Sequence, residues 1–127
     1  MEFKYTILYV DDVRKSLAFY QQAFGFPVRF EHESGDWGEL ETGATRLSFC
    51  SRRLLAEAKK HTLRADPEKP CFEIAFMVAD VEAALQHALD AGAAMVQAVE
   101  TMPWGQTVAY VADPDGVLVE LCTPMEN

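Results

Sequence analysis

The chain states one instruction twice. Residues 5–17 read Tyr-Thr-Ile-Leu-Tyr-Val-Asp-Asp-Val-Arg-Lys-Ser-Leu, and residues 73–85 read Glu-Ile-Ala-Phe-Met-Val-Ala-Asp-Val-Glu-Ala-Ala-Leu. A constant offset of 68 pairs Val10 with Val78, Asp12 with Asp80, Val13 with Val81 and Leu17 with Leu85, and both copies run on to a glycine, Gly25 and Gly92. Each copy opens with β-branched and aromatic residues that read as a strand. An aspartate then stands where the apolar period changes from two to 3.6, the place of a helix N-cap. Val13, Leu17, Tyr20 and Phe24 make one apolar stripe, and Val81, Leu85, Ala88 and Leu89 the other, so each helix has one face to bury against a sheet. Gly25 and Gly92 stand where left-handed residues end helices.

The rest of each copy completes the same order. Residues 28–33, 37–41 and 46–51 read as three strands joined by Ser34-Gly35-Asp36 and Thr42-Gly43. In the second copy a strand at 72–78 and a helix at 80–91 lead to strands at 95–100, 106–111 and 117–123, the last two closed by the turn Asp113-Pro114-Asp115-Gly116. Between the copies, residues 52–61 carry helix formers and 62–70 a polar loop stopped by Pro67 and Pro70. At 127 residues the chain is the size of one domain. The expected organisation is a single domain 1–127, with a first module 1–51, a linker 52–70 and a second module 71–127. The fold class is α+β: two paired strand–helix–three-strand modules forming a cupped eight-stranded mixed sheet, helices on the outer face.

Half of the residues are hydrophobic, and no apolar run approaches the roughly 20 residues that cross a bilayer. The opening Met-Glu-Phe-Lys lacks a signal-peptide layout, so a soluble, cytoplasmic protein is expected. A formal charge of −9 argues against nucleic acid and anionic membranes as partners. Cys50, Cys71 and Cys122 are odd in number and lack CxxC spacing, which reads as reduced thiols rather than a disulfide frame or zinc site.

Alternation selects the side chains for the open face of the sheets. Leu8 and Val10 are assigned to the helix side, leaving Tyr5, Ile7 and Tyr9. Ile74, Phe76 and Val78 face the second helix, leaving Glu73, Ala75 and Met77. Leu118, Glu120 and Cys122 share a face in the last strand, with Leu47 and Phe49 as the expected first-copy counterparts. Two acids, Glu73 and Glu120, thus fall among apolar neighbours, where Tyr9, Trp37, Phe49 and Trp104 offer flat surfaces and Gln106 a directional hydrogen bond.

These features resemble a known family. The opening YVDDVRKSLAFYQQAFGF, the ending PWGQTVAYVADPDGVLVEL, the element order and the duplication are similar to the vicinal oxygen chelate superfamily, which groups glyoxalases, bleomycin resistance proteins and extradiol dioxygenases. The resemblance implies paired βαβββ modules and a homodimer. It also implies a divalent metal held by one side chain from the first and last strand of each module, at places occupied here by Tyr5, Leu47, Glu73 and Glu120. Glu120 matches the family carboxylate, whereas Glu73 and Tyr5 stand where the enzymes carry histidine, and Leu47 has no donor.

Zinc, nickel, manganese or iron would find only Glu73 and Glu120, a poor set for a catalytic site that wants about three imidazole or carboxylate ligands. His61 and His87 fall on expected helices, and His32 on a strand rim. The expected protein therefore binds a small, partly aromatic ligand without metal, through Tyr5, Tyr9, Trp37, Leu47, Phe49, Glu73, Trp104, Gln106 and Glu120. The alternative is a metal-dependent glyoxalase-like lyase, with Glu120 and Glu73 as its catalytic residues.

Overall fold

A computed structural model describes residues 1–125. Its elements follow the order β1 (Tyr5–Val10), α1 (Val13–Phe24), β2 (Val28–Glu31), β3 (Trp37–Leu40), β4 (Arg46–Ser51), α2 (Arg52–Glu57), β5 (Ile74–Met77), α3 (Val81–Asp90), β6 (Ala94–Thr101), β7 (Thr107–Ala112) and β8 (Leu118–Cys122). The eight strands divide into two four-stranded mixed sheets, ordered β1-β4-β3-β2 and β5-β8-β7-β6. In each, the first and last strands of the module run parallel and the other neighbours antiparallel. The chain is α+β, in two compact units, Met1–Arg64 and the residues from Ala65 onward.

Both aspartates cap their helices. Asp12 accepts from the Lys15 amide at 3.1 Å and Asp80 from the Ala83 amide at 3.0 Å. Each cap satisfies one of the amides that a helix start leaves orphaned. In unit 1 the stripe Val13, Leu17 and Tyr20 is buried, and Tyr20 lies 5.2 Å from Phe49 between ring centroids. Gly38 of β3 lets the helix approach: a Cβ there would stand 2.6 Å from Leu17 Cδ1. In unit 2, Val81, Leu85 and Ala88 are the buried stripe. Gly25 closes α1 in a left-handed conformation, whereas α3 is capped by Ala91 and the positive φ falls one residue later, at Gly92.

The segment 52–61, expected to be one helix, is helical only through Glu57, and Lys59 turns to φ 60°. His61 therefore lies beyond the helix. Residues 52–64 dock on unit 1. Arg52 donates to the Tyr9 carbonyl at 3.1 Å, to Thr62 and to the Leu63 carbonyl, and Arg64 grips Asp11 with two hydrogen bonds. Ser51 starts α2: its hydroxyl accepts from the Leu54 amide at 3.1 Å and donates to Asp36 at 2.6 Å, and Arg53 donates to the other Asp36 oxygen. These bonds hold the Asp36 carboxyl below its ordinary value, the Ser51 bond foremost. Its contribution is present above the unfolded-state value and is lost as pH falls through the lower folded-state one.

Ser51→Ala removes the cap and leaves Asp36 with one partner fewer. It is expected to cost about 1–2 kcal/mol by urea unfolding and to accelerate hydrogen exchange at the Leu54 amide. An unchanged exchange rate there would show that the hydroxyl does not fix the helix start.

Candidate functional site

On unit 2 the helix covers one face of the sheet. Ile74 pairs with Val119 and Phe76 with Leu121 on that side, where Val119 and Leu121 are fully buried. Alternation leaves Ala75, Met77, Glu120, Cys122 and Tyr110 on the opposite face, with Ala75 and Tyr110 flanking Glu120 in register. Glu73 immediately precedes β5, and its carboxyl reaches hydrogen-bond distance of both Glu120 and Tyr110. Three oxygen-bearing groups, from β7, β8 and the residue that leads into β5, converge.

Their environment sets their protonation. Burial raises the Glu73 carboxyl above its ordinary value, the adjacent Glu120 charge and hydrogen bond add to this, and the Tyr110 hydroxyl offsets part of it. Tyr110 is pushed up to about 12, by burial first and then by Glu120 and Glu73. Its phenol is a permanent donor at neutral pH. Burial and Glu120 also raise the Cys122 thiol, against a hydrogen bond from Gln106. The arrangement is two carboxyls in contact, with the Tyr110 hydroxyl and the Cys122 thiol alongside.

Beside this cluster, Trp104 donates its indole N–H to Gln106 Oε1 at 2.9 Å, and Gln106 donates to the Thr123 carbonyl at 2.9 Å. The chain of bonds fixes the indole while its ring stays 56% exposed. Met77 is also open to solvent. Met77 shares the β5 face of Ala75, and Gln106 ties the Trp104 loop to the end of β8, the strand that carries Glu120. A groove of about 810 Å³ between α3 and β6 is elsewhere on the unit, lined by Leu85, Leu89, Met95 and Val99 with Asp80 and Glu82 at its rim. Asp80 is committed to its cap, which leaves Glu82 as the groove's other titratable group, so the chemistry belongs to the acid cluster.

On unit 1 the register overturns one expectation. Phe49 pairs with buried Leu8 and packs on Tyr20, so Phe49 and Leu47 point to the helix and not to the open face. Arg46, Ser48 and Cys50 take the open side, in register with Tyr5, Ile7 and Tyr9. The first-unit counterpart of Glu120 is therefore Ser48, and that of Tyr110 is Glu39, which pairs with Ser48. Trp37 donates to Glu39 Oε2 at 2.9 Å and meets the Tyr5 ring edge-on at 6.0 Å. Arg46 Nε stands 3.8 Å from Glu39 Oε1. Sequence reasoning missed Ser48, Glu39 and Tyr110. Counting alternation outward from the helix-facing Leu8 and Phe49 would have found the first two.

The donors do not fit the divalent metal that the resemblance implies. A catalytic metal site wants about three imidazole or carboxylate ligands, whereas this cluster offers two carboxyls beside a phenol and a thiol. The first-unit positions offer a phenol and a hydroxyl. Among the described residues no group of three or more His, Cys, Asp or Glu is arranged to hold an ion. His32 Nδ1 is engaged with Ser34, and His87 rides on the last turn of α3. Cys71 is exposed, whereas Cys50 and Cys122 are buried. No helix among the described residues is long and apolar enough to cross a membrane.

Comparison with known proteins follows the same lines. The family model described as Glyoxalase/Bleomycin resistance protein/Dioxygenase superfamily matches residues 2–121. The uncharacterized protein YraH of Bacillus subtilis is 26% identical over 118 residues, 90% of this chain and 91% of that protein. The uncharacterized protein Mb0911c of Mycobacterium bovis is 34% identical over 115 residues, covering 86% of this chain and 74% of that protein. A crystal structure of a glyoxalase-related enzyme from Fulvimarina pelagi superposes with a TM-score of 0.83 over 98% of this chain and 88% of its own, at 20% identity, a likeness of fold.

Proposed function

The chain belongs to the glyoxalase/bleomycin resistance protein/dioxygenase superfamily, and from that premise we propose that it is a metal-independent binding protein for a small aromatic ammonium compound. The observation that carries this reading is the convergence of the Glu73 and Glu120 carboxyls, within hydrogen-bond reach of each other, with the Tyr110 hydroxyl alongside. Two acids forced together cost free energy while empty. A cation bound between them relieves that repulsion and gains charge-assisted hydrogen bonds. Met77 and the fixed Trp104 ring supply the surface on which a flat body would lie. The family's fold hosts many chemistries, so the acids, and not the fold, decide the reading.

The test is a titration of the purified full chain with benzylammonium, benzyl alcohol and benzoate, followed by calorimetry with and without EDTA. Benzylammonium is expected to bind at least tenfold more tightly than either analogue, with no change on chelation. Stoichiometric metal in elemental analysis, or binding abolished by EDTA, would put the metal-dependent lyase in its place.

A further inference from the structure

We infer that the groove between α3 and β6 of one copy of this chain receives a second copy, through the turn after α2 that carries Lys59, Lys60 and Leu63. The inference uses none of the residues of the acid cluster.

The groove is the receiving surface. Met95 and Val99 leave apolar surface uncovered in it, and the carboxylates of Asp80 and Glu82 stand at its rim. An exposed apolar patch with a polar rim marks a place where another molecule binds. The surrounding charge tells which kind. Residues 65–125 contain ten acids and a single lysine or arginine, Lys69, whereas the other ten lysines and arginines fall in residues 1–64. A basic occupant with an apolar tip is attracted, and an acidic one is repelled.

The chain itself carries such an occupant. Where α2 closes, the Lys59 amide donates to the Ala56 carbonyl at 3.0 Å and the Lys60 amide to the Leu55 carbonyl at 2.9 Å. Lys59 takes φ 60° there, the place in a helix end where glycine is usual. It is the only residue other than glycine with positive φ among the described residues. Strained backbone of this kind gathers at sites of use. Both lysines are exposed, and neither ammonium pairs with a carboxylate among the described residues. Leu63, a few residues on, is 92% exposed. Arg52 holds the turn through the Thr62 hydroxyl at 2.9 Å and the Leu63 carbonyl at 3.1 Å, and Arg64 anchors its end on Asp11. A surface fixed before contact loses little freedom on docking. Two ammoniums and a leucine thus face two carboxylates and an apolar floor. Turn and groove are different surfaces, so the contact is heterologous. One short turn covers less than the roughly 1,000 Å² of a stable interface, and the association is accordingly weak and exchanging.

The test mixes two full-length copies. One carries carbon-13 on its methionine methyls, and the other is unlabelled, with a nitroxide attached at His61→Cys in a Cys71→Ser background. Met95 is the probe, assigned by Met95→Leu, and Met1, Met77, Met102 and Met125 are internal controls. Paramagnetic broadening is expected to be at least threefold greater at Met95 than at any control. Lys59→Glu with Lys60→Glu in the nitroxide copy is expected to cut it at least threefold, as is Glu82→Lys in the methyl-labelled copy. Raising sodium chloride to about 0.5 M should do the same, since exposed charges are screened. Should the lysine variant fail to fold, Glu82→Lys decides. Equal broadening at all five methyls, broadening centred on Met77, or broadening that the charge reversals leave unchanged would overturn the inference. So would no broadening at Met95, which would leave the groove to a different basic partner. None of these results bears on benzylammonium binding at the acid cluster, so the two readings fail separately.

Discussion

Gly116→Ala is expected to destabilise the second unit by about 3 kcal/mol, the largest loss foreseen for removing so little. The turn at residues 113–116 is built by Asp113, whose carboxylate accepts from the Asp115 and Val117 amides at 2.9 Å. Gly116 closes it at φ 90°. A side chain at that angle costs about 1–2 kcal/mol by itself. The added methyl would also collide with the carbonyl oxygen of Ala65, a backbone atom that cannot turn aside as a side chain would. Displacing that segment adds about 1–3 kcal/mol. Urea unfolding measures the sum, and a loss below about 1 kcal/mol would mean that the Ala65 segment does not rest on the turn.

The second large effect concerns the acids. Glu120→Gln is expected to weaken benzylammonium binding by about a hundredfold, the loss of one charge-assisted hydrogen bond in a partly buried place. The pH dependence supplies an independent check. Glu73 is raised in the folded chain, so between the unfolded-state value near 4.3 and the folded one the native state holds the extra proton. The contribution of Glu73 to stability is thus full below the unfolded-state value and is lost as pH rises through the folded one. Binding of a cation runs the opposite way and strengthens with rising pH as the proton is released. Glu73→Gln should flatten the stability profile and leave the chain more stable than its parent at neutral pH. Parent and Glu73→Gln profiles of the same shape above the unfolded-state value would refute the raised Glu73 carboxyl.

Much of this was legible because the chain repeats itself. Strand, aspartate cap and apolar stripe agree in both copies, so the eight strands and the two long helices follow from residues alone. The register of β4 was not. Arg46–Ser51 alternates polar and apolar residues, and its two faces compete: Leu47 and Phe49 suit either a ligand surface or a helix. The helix wins, since Tyr20 and the α1 stripe demand large apolar partners. The duplication also misleads here. Glu73 lies 68 residues after Tyr5, but Glu120 lies 72 after Ser48, because the second copy is four residues longer between its first and last strands. Carrying the offset of 68 back from Glu120 lands on Arg52, four residues beyond Ser48, so the repeat alone does not locate the counterpart. The short α2 was overextended for a different reason: its residues favour helix, but docking by Arg52 and Arg64 pulls the chain away.

The three thiols offer a practical handle. Two are buried, and burial pushes their thiols up from the ordinary value, while Cys71 faces water two residues ahead of Glu73. A maleimide dye would therefore attach at a single known place, two residues along the chain from one of the acids, and its emission would report occupancy there without any engineered residue.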